Sequence, residues 1–185
     1  MKKTLLLFSV ACVAALTFAG CEKGDGDKDY GYPYVLMPQA QRIEGYYAVP
    51  GGKGEWTPNF KVEEENVLVY MGVLRSGKVK NEAFSVDIAI NDTPAEDFIY
   101  DNIVPNAELM PHALYTLPET VSVPGNSNQT QFYMELSVSE VLKAQYDDKI
   151  FVLCVELQNP TKFKLSRDSF RTVVVVDVNA IREFL

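Results

Sequence analysis

The chain has 185 residues, 17 of them basic and 25 acidic, with a formal net charge of −8 and a hydrophobic fraction of 47%. That length suits one domain with a substantial core. The acidic balance argues against nucleic acid, whose binding depends on basic side chains displacing counterions, and against electrostatic adsorption to anionic lipid.

Met1-Lys2-Lys3 gives a positive start, and Thr4 to Ala19 is an apolar run closed by small residues. The run is too short to cross a bilayer comfortably, so residues 1–20 read as an export signal. Lys2 and Lys3 are the leader's only charges, so the remaining chain carries 15 basic and 25 acidic residues. Leu16-Thr17-Phe18-Ala19-Gly20-Cys21 resembles a bacterial lipobox. The resemblance implies lipid attachment at Cys21, and acyl chains there would hold the chain at a membrane without a transmembrane helix. Phe18 stands where the motif more often has Leu, and ordinary cleavage near Ala19 is the alternative. Residues 21–31 then form an acidic tether and residues 32–185 a single domain. Cys12 would leave with the leader. Cys154, alone in Phe151-Val152-Leu153-Cys154-Val155, reads as an inert core residue.

Glu22 to Asp29 has no apolar residue and reads as solvated chain. Asp25, Asp27 and Asp29 alternate as in a calcium loop, but Tyr30 and Leu36 occupy the positions where that loop needs Gly and a bidentate Glu. Tyr30 to Ala40 predicts an edge strand ahead of Pro38, and Arg42 to Val49 a second strand. Pro50 to Asn59 is a loop carrying Trp56, the only tryptophan. Asn66 to Leu74 is rich in β-branched and aromatic residues and predicts a strand, followed by a turn at Arg75-Ser76-Gly77-Lys78. Phe84, Val86, Ile88 and Ile90 alternate with Ser85 and Asp87, as in a strand with one wet face. Thr93, Pro94 and Glu96 predict the cap, first turn and capping box of a short helix to about Asn102.

Thr120 to Val123 predicts a short strand, and Pro124 to Asn128 a turn. Thr130 to Val138 alternates, with Phe132, Met134 and Leu136 on one face and Gln131, Tyr133 and Glu135 on the other. Ser139 is placed to cap a helix through Tyr146, with Val141 and Leu142 inward. Lys149 to Leu157 is apolar on both faces and therefore central, and Arg171 to Val178 closes the sheet. These elements add up to an all-β fold. The expected architecture is an antiparallel immunoglobulin-like β-sandwich of about seven or eight strands with one or two short helices.

The order of these elements from Phe84 to Val178 resembles a β-sandwich domain of unknown function common in surface lipoproteins of Bacteroidetes. The matching features are the alternating strand Phe84 to Ile90, the helix ending Tyr100-Asp101-Asn102, Leu117-Pro118, the strand–turn–strand Val121 to Leu136, and the strands Ile150 to Leu157 and Ser169 to Asp177. The likeness covers roughly residues 30 to 180. Acidic residues directly behind Cys21 likewise resemble the signal that sends Bacteroidetes lipoproteins to the outer face of the outer membrane. The resemblance implies a domain near the lipid anchor, often ahead of a lectin-like or glycoside hydrolase domain, within loci devoted to glycan capture. This sequence ends at Leu185, so the expectation is that the domain binds by itself or serves as an accessory subunit.

Chemistry of other kinds finds little footing. His112 is the only histidine, too few for a metal site or a Ser/His/Asp arrangement. Glu63, Glu64 and Glu65 read as a solvated strand entry rather than a glycosidase pair. Pro50-Gly51-Gly52-Lys53-Gly54 lacks the spacing of a phosphate loop. No enzyme activity, metal or cofactor is expected. The suggestive feature is aromatic: Tyr46, Tyr47 and Trp56 are the candidate ligand-binding residues, as a stacking platform for sugar rings, against the plainer reading as strand and core residues. The expected partners are the membrane through the anchor, a polysaccharide or oligosaccharide, and an outer-membrane transporter or neighbouring lipoprotein. The rival function is a structural or adhesive module docking on a protein partner.

Overall fold

The computed structural model describes residues 31–51 and 58–185. The expectations for the leader, Cys21, the acidic tether to Tyr30, and Trp56 lie outside the described residues.

Twelve strands are found among the described residues. Six form a first sheet: β1 (Tyr34–Leu36), β3 (Phe60–Glu63), β4 (Asn66–Arg75), β7 (Tyr115–Thr116), β9 (Gln129–Ser137) and β11 (Lys164–Leu165). The other six form a second sheet: β2 (Tyr47–Val49), β5 (Phe84–Ile90), β6 (Ala107–Leu109), β8 (Thr120–Val123), β10 (Ile150–Gln158) and β12 (Arg171–Asp177). The first runs β11-β1-β4-β9-β7, with β3 also pairing β4; the second runs β2-β12-β10-β5-β8, with β6 also pairing β10. Three short α-helices, α1 (Asp92–Tyr100), α2 (Val138–Val141) and α3 (Val178–Arg182), and single 3-10 turns at Pro38–Gln41, His112–Leu114 and Ala144–Tyr146 complete the described elements. This is an all-β sandwich.

Alternation explains the inner layer. On β4 the residues Val67, Val69, Met71 and Val73 are buried, and on β9 Phe132, Met134 and Leu136 face them. From the second sheet come Phe84 and Val86, then Phe151, Leu153, Val155 and Leu157, then Val174 and Val176. Side chains two apart share a face, so each strand contributes one phase to a common inter-sheet core. Burying each such side chain stabilises the fold by about 1.5–3 kcal/mol.

β10 is central, as its two apolar faces require: it pairs with β12 over seven registers and with β5 over four. Its outward residues Val152 and Cys154 form a second cluster with Ala95, Ala107 and Val175, packed by Tyr46, Phe98 and Ile99. Helix α1 therefore lies over the outer face of the second sheet.

Several details differ from the sequence reading. Most ladders are antiparallel, but β1–β11, β2–β12 and β6–β10 are parallel. Each of these pairs has a strand of two or three residues, too short for any period to show, and the partners arrive by long connections rather than hairpins. These short strands also raise the count above the expected seven or eight. β12 does not close its sheet, because β2 lies beyond it. Helix α1 is capped by Asn91, whose Oδ1 accepts from Thr93 N at 3.3 Å, and Pro94 falls inside the first turn. Asn91 wins because the strand releases the chain there: its N–H still bonds Cys154 O, and its Nδ2 donates to Glu156. Residue Ser137, not Ser139, precedes α2, and Leu142 is 54% exposed while Val141 is buried.

Candidate functional site

Of the three expected platform residues, Tyr46 and Tyr47 lie within the described structure, and they do not share a face. Neighbours in sequence at a strand point to opposite faces. Tyr47 is 3% exposed in the inter-sheet core, and its hydroxyl donates to Tyr70 O on the other sheet at 2.8 Å. Tyr46 packs edge-on against Phe98 of α1, ring centroids 5.4 Å apart. Both are structural in this arrangement, one tying the sheets together and one seating the helix.

A different aromatic pair lies on the outer face of the first sheet. Tyr70 on β4 is directly opposite Tyr133 on β9, and the next outward row pairs Gly72 with Gln131. The tyrosine centroids are 5.9 Å apart with the planes tilted by 51°. Such pairing lies within the favourable range for aromatic rings. Lys61 on β3 sits over the Tyr133 ring, its Nζ 5.2 Å from the centroid and 2.5 Å from a Glu63 oxygen.

The backbone explains why this face is concave. β3 covers the first half of β4 and β1 only its end, which leaves a gap along Tyr70 to Val73. The turn after β1 fills that gap: Gln39 Nε2 donates to Tyr70 O at 3.4 Å, and Pro38 packs beside Gly72. Glycine at 72 keeps the floor low. A Cβ there would meet Thr130 O at 3.6 Å and Pro38 at 3.7 Å, ordinary contacts, so no steric demand forces glycine at this position. The result is a groove of about 810 Å³ running past Gln39, Tyr70 and Tyr133 to Gln131, Gln129 and Ser127. That volume is in the range of small-molecule and oligomer sites.

The remaining candidates are accounted for locally. His112 is exposed, and its Nδ1 lies 2.8 Å from the Tyr115 hydroxyl. Desolvation raises the pKa of that Tyr115 hydroxyl. Cys154 is fully buried, and burial pushes its thiol up to about 11, the wrong direction for a nucleophile at neutral pH. Glu64 sits in the β3–β4 turn at φ 53° between the exposed Glu63 and Glu65. Among the described residues no three His, Cys, Asp or Glu side chains gather as a metal site would need. No described helix is long and apolar enough to cross a membrane.

The sequence signal for the groove was present in β9. Tyr133 falls in the wet phase with Gln131 and Glu135, where a large aromatic ring has no core to enter. Tyr70 carries no such mark, since β4 is apolar on both phases.

No family model matches the chain, and no curated protein does. Solved structures share its fold. A candidate carbohydrate-binding protein from Bacteroides ovatus ATCC 8483 superposes with a TM-score of 0.53 at 14% identity, over 78% of this chain and 37% of that one. A protein of unknown function from Bacteroides ovatus gives 0.52 at 12% identity, over 77% of this chain and 43% of that one. Another of unknown function from Bacteroides ovatus gives 0.51 at 12%, over 80% and 52%. The chain thus spans about two-fifths of the length of the first two. At such identities the likeness is one of fold, and it agrees with a sandwich domain found in Bacteroidetes.

Proposed function

We propose that this chain is a non-catalytic glycan-binding domain at the cell surface. In this reading residues 1–20 direct export, Cys21 takes the lipid that holds the chain in the outer membrane facing outward, and the groove on the first sheet captures glycan for uptake. The observation that carries it is the Tyr70–Tyr133 pair on a groove edged by side-chain amides. Sugar rings present apolar C–H faces and polar rims, and a site with aromatic faces and a few placed amides matches both. Glycoside hydrolysis needs two flanking carboxylates, and the described lining of the groove has none. The fold shared with a candidate carbohydrate-binding protein supports the same direction.

The test is retention of the full chain on a glycan array, with Tyr133→Ala beside it. Removing one stacking ring should weaken retention about fivefold or more, taking as a guide the roughly 1–3 kcal/mol that a nucleobase gains by stacking on an aromatic side chain. A hit that Tyr133→Ala leaves unchanged places the site elsewhere, and a blank array ends the proposal.

A second reading, docking on a transporter or neighbouring lipoprotein, is favoured by the segment from α1 to β6. Tyr100 is 90% exposed there, with Ile103 at 52% and Leu109 at 39%. Crosslinking in cells that captures one fixed protein partner, with Tyr100→Ser abolishing it, would support this.

A further inference from the structure

The groove is polar without offering a free charge. Its one charged lining residue among those described is Lys61. Lys61 and Glu63 are two apart on β3, so their side chains leave the same face of the sheet. The ammonium is held by the Glu63 carboxylate at 2.5 Å and by the face of Tyr133. The Glu63 hydrogen bond keeps the lysine's pKa above its ordinary value. What remains for a ligand is neutral: the amides of Gln129 and Gln131, on the outward phase of β9, since the Ser127 hydroxyl is taken up by the backbone of Gln129. Amides both donate and accept, as sugar hydroxyls do.

An acidic sugar would meet a different reception. Its carboxylate or sulfate would leave water for aromatic faces, which are negative, with no arginine fork to receive it. The single cation already has a partner, and Glu135 lies one row along on the far side of Leu68. The chain as a whole carries −8, which repels polyanions at longer range.

We propose that this groove takes uncharged glycans and rejects acidic ones, and that Glu63 sets the choice by holding Lys61. The inference rests on the glycan-binding reading above. Glu63 is a specificity determinant acting through Lys61, not a contact for the sugar.

The experiment is affinity electrophoresis of the full chain against two sets of probes. Starch, mannan and xyloglucan are the neutral set; polygalacturonate and chondroitin sulfate are the acidic set. The wild-type chain should be retarded by at least one neutral probe and by neither acidic one. Glu63→Gln frees the ammonium and should gain retardation by an acidic probe of about tenfold in affinity, the size of one charge-assisted hydrogen bond. Glu64→Gln changes net charge by the same amount in the adjoining turn and should gain nothing. Adding Lys61→Met to Glu63→Gln should remove the gain. All three positions are surface residues, and matching thermal unfolding curves confirm that the variants fold. Wild-type retardation by an acidic probe overturns the inference while leaving glycan binding intact. Equal gains in Glu63→Gln and Glu64→Gln, or no gain in either, overturn the role of Glu63. No retardation by any probe, neutral or acidic, overturns both this inference and the binding reading beneath it.

Discussion

The two sheets bury their inner faces alike and treat their outer faces in opposite ways. On the second sheet, Val152, Cys154 and Val175 point outward and are sealed beneath α1 by Phe98, Ile99 and Tyr46. On the first, Tyr70, Gly72, Gln131 and Tyr133 point outward, and the turn at Pro38–Gln39 walls one edge while the face stays open. The same fold thus holds a covered face whose side chains serve stability and an open face whose side chains have little folding work. Large aromatics kept on the open face, beside amides, are what ligand recognition would require.

The comparison breaks most sharply under a charge. Val152→Asp puts a carboxylate in a fully buried, unpartnered position, and should cost at least about 4 kcal/mol or prevent folding. Gln131→Asp, the same new charge on the open face, should change stability by about 0.5 kcal/mol or less. Urea unfolding of the two variants measures the contrast, and similar losses would mean that both faces are packed.

A pH titration sharpens it next. The folded Cys154 thiol is pushed up to about 11 from an ordinary value of 9.0, chiefly by desolvation. The neutral form is the one the fold favours. Its contribution is therefore full below pH 9 and is lost as pH rises from 9 through 11, because the unfolded chain releases its proton first. The loss amounts to about 3 kcal/mol at most. Unfolding free energies of wild type and Cys154→Ala between pH 8 and 11 should converge with rising pH by that amount, and parallel curves would show that water reaches the covered face.

The smallest effect belongs to the open face. Gly72→Ala places a methyl at ordinary contact distance from Pro38 and Thr130 O, with no backbone strain. It should raise stability by about 0.4–1 kcal/mol, mostly by restricting the unfolded chain. A destabilised variant would mean that Pro38 and the Thr130 carbonyl do not accommodate the added methyl.

How much of this was legible in the sequence follows from the length of each signal. Phe84 to Ile90 and Thr130 to Val138 alternate over seven or more residues, and both strands appear with the expected faces inward. The double apolar face of Phe151 to Leu157 correctly announced a central strand with something packed behind it. Ala107–Leu109 and Lys164–Leu165 gave no period at all, and their pairing is set by where long connections return the chain. Arg75 falls in the expected turn Arg75-Ser76-Gly77-Lys78, but the strand runs one residue further. Arg75 ends β4 at 2% exposure, with its guanidinium donating to Val79 O, Lys80 O and Asn81 Oδ1 and stacking on Phe163. A guanidinium is weakly hydrated and can be buried on carbonyls and a ring, which no local pattern reveals. Clustering in sequence drew attention to Tyr46 and Tyr47, which the fold places on opposite faces, while register across β4 and β9 brings Tyr70 to Tyr133, a proximity no local pattern reveals.

The most direct test of the open face is to watch its backbone amides while ligand is added. Amide resonances of the isotopically labelled chain would be followed during titration with oligosaccharides from starch, mannan and xyloglucan. The account predicts that shifts concentrate at Tyr70, Gly72, Gln131 and Tyr133, with the amides of Val152 and Val175 unmoved. Shifts centred on α1 and β6, or none with any of the three sugars, would contradict it.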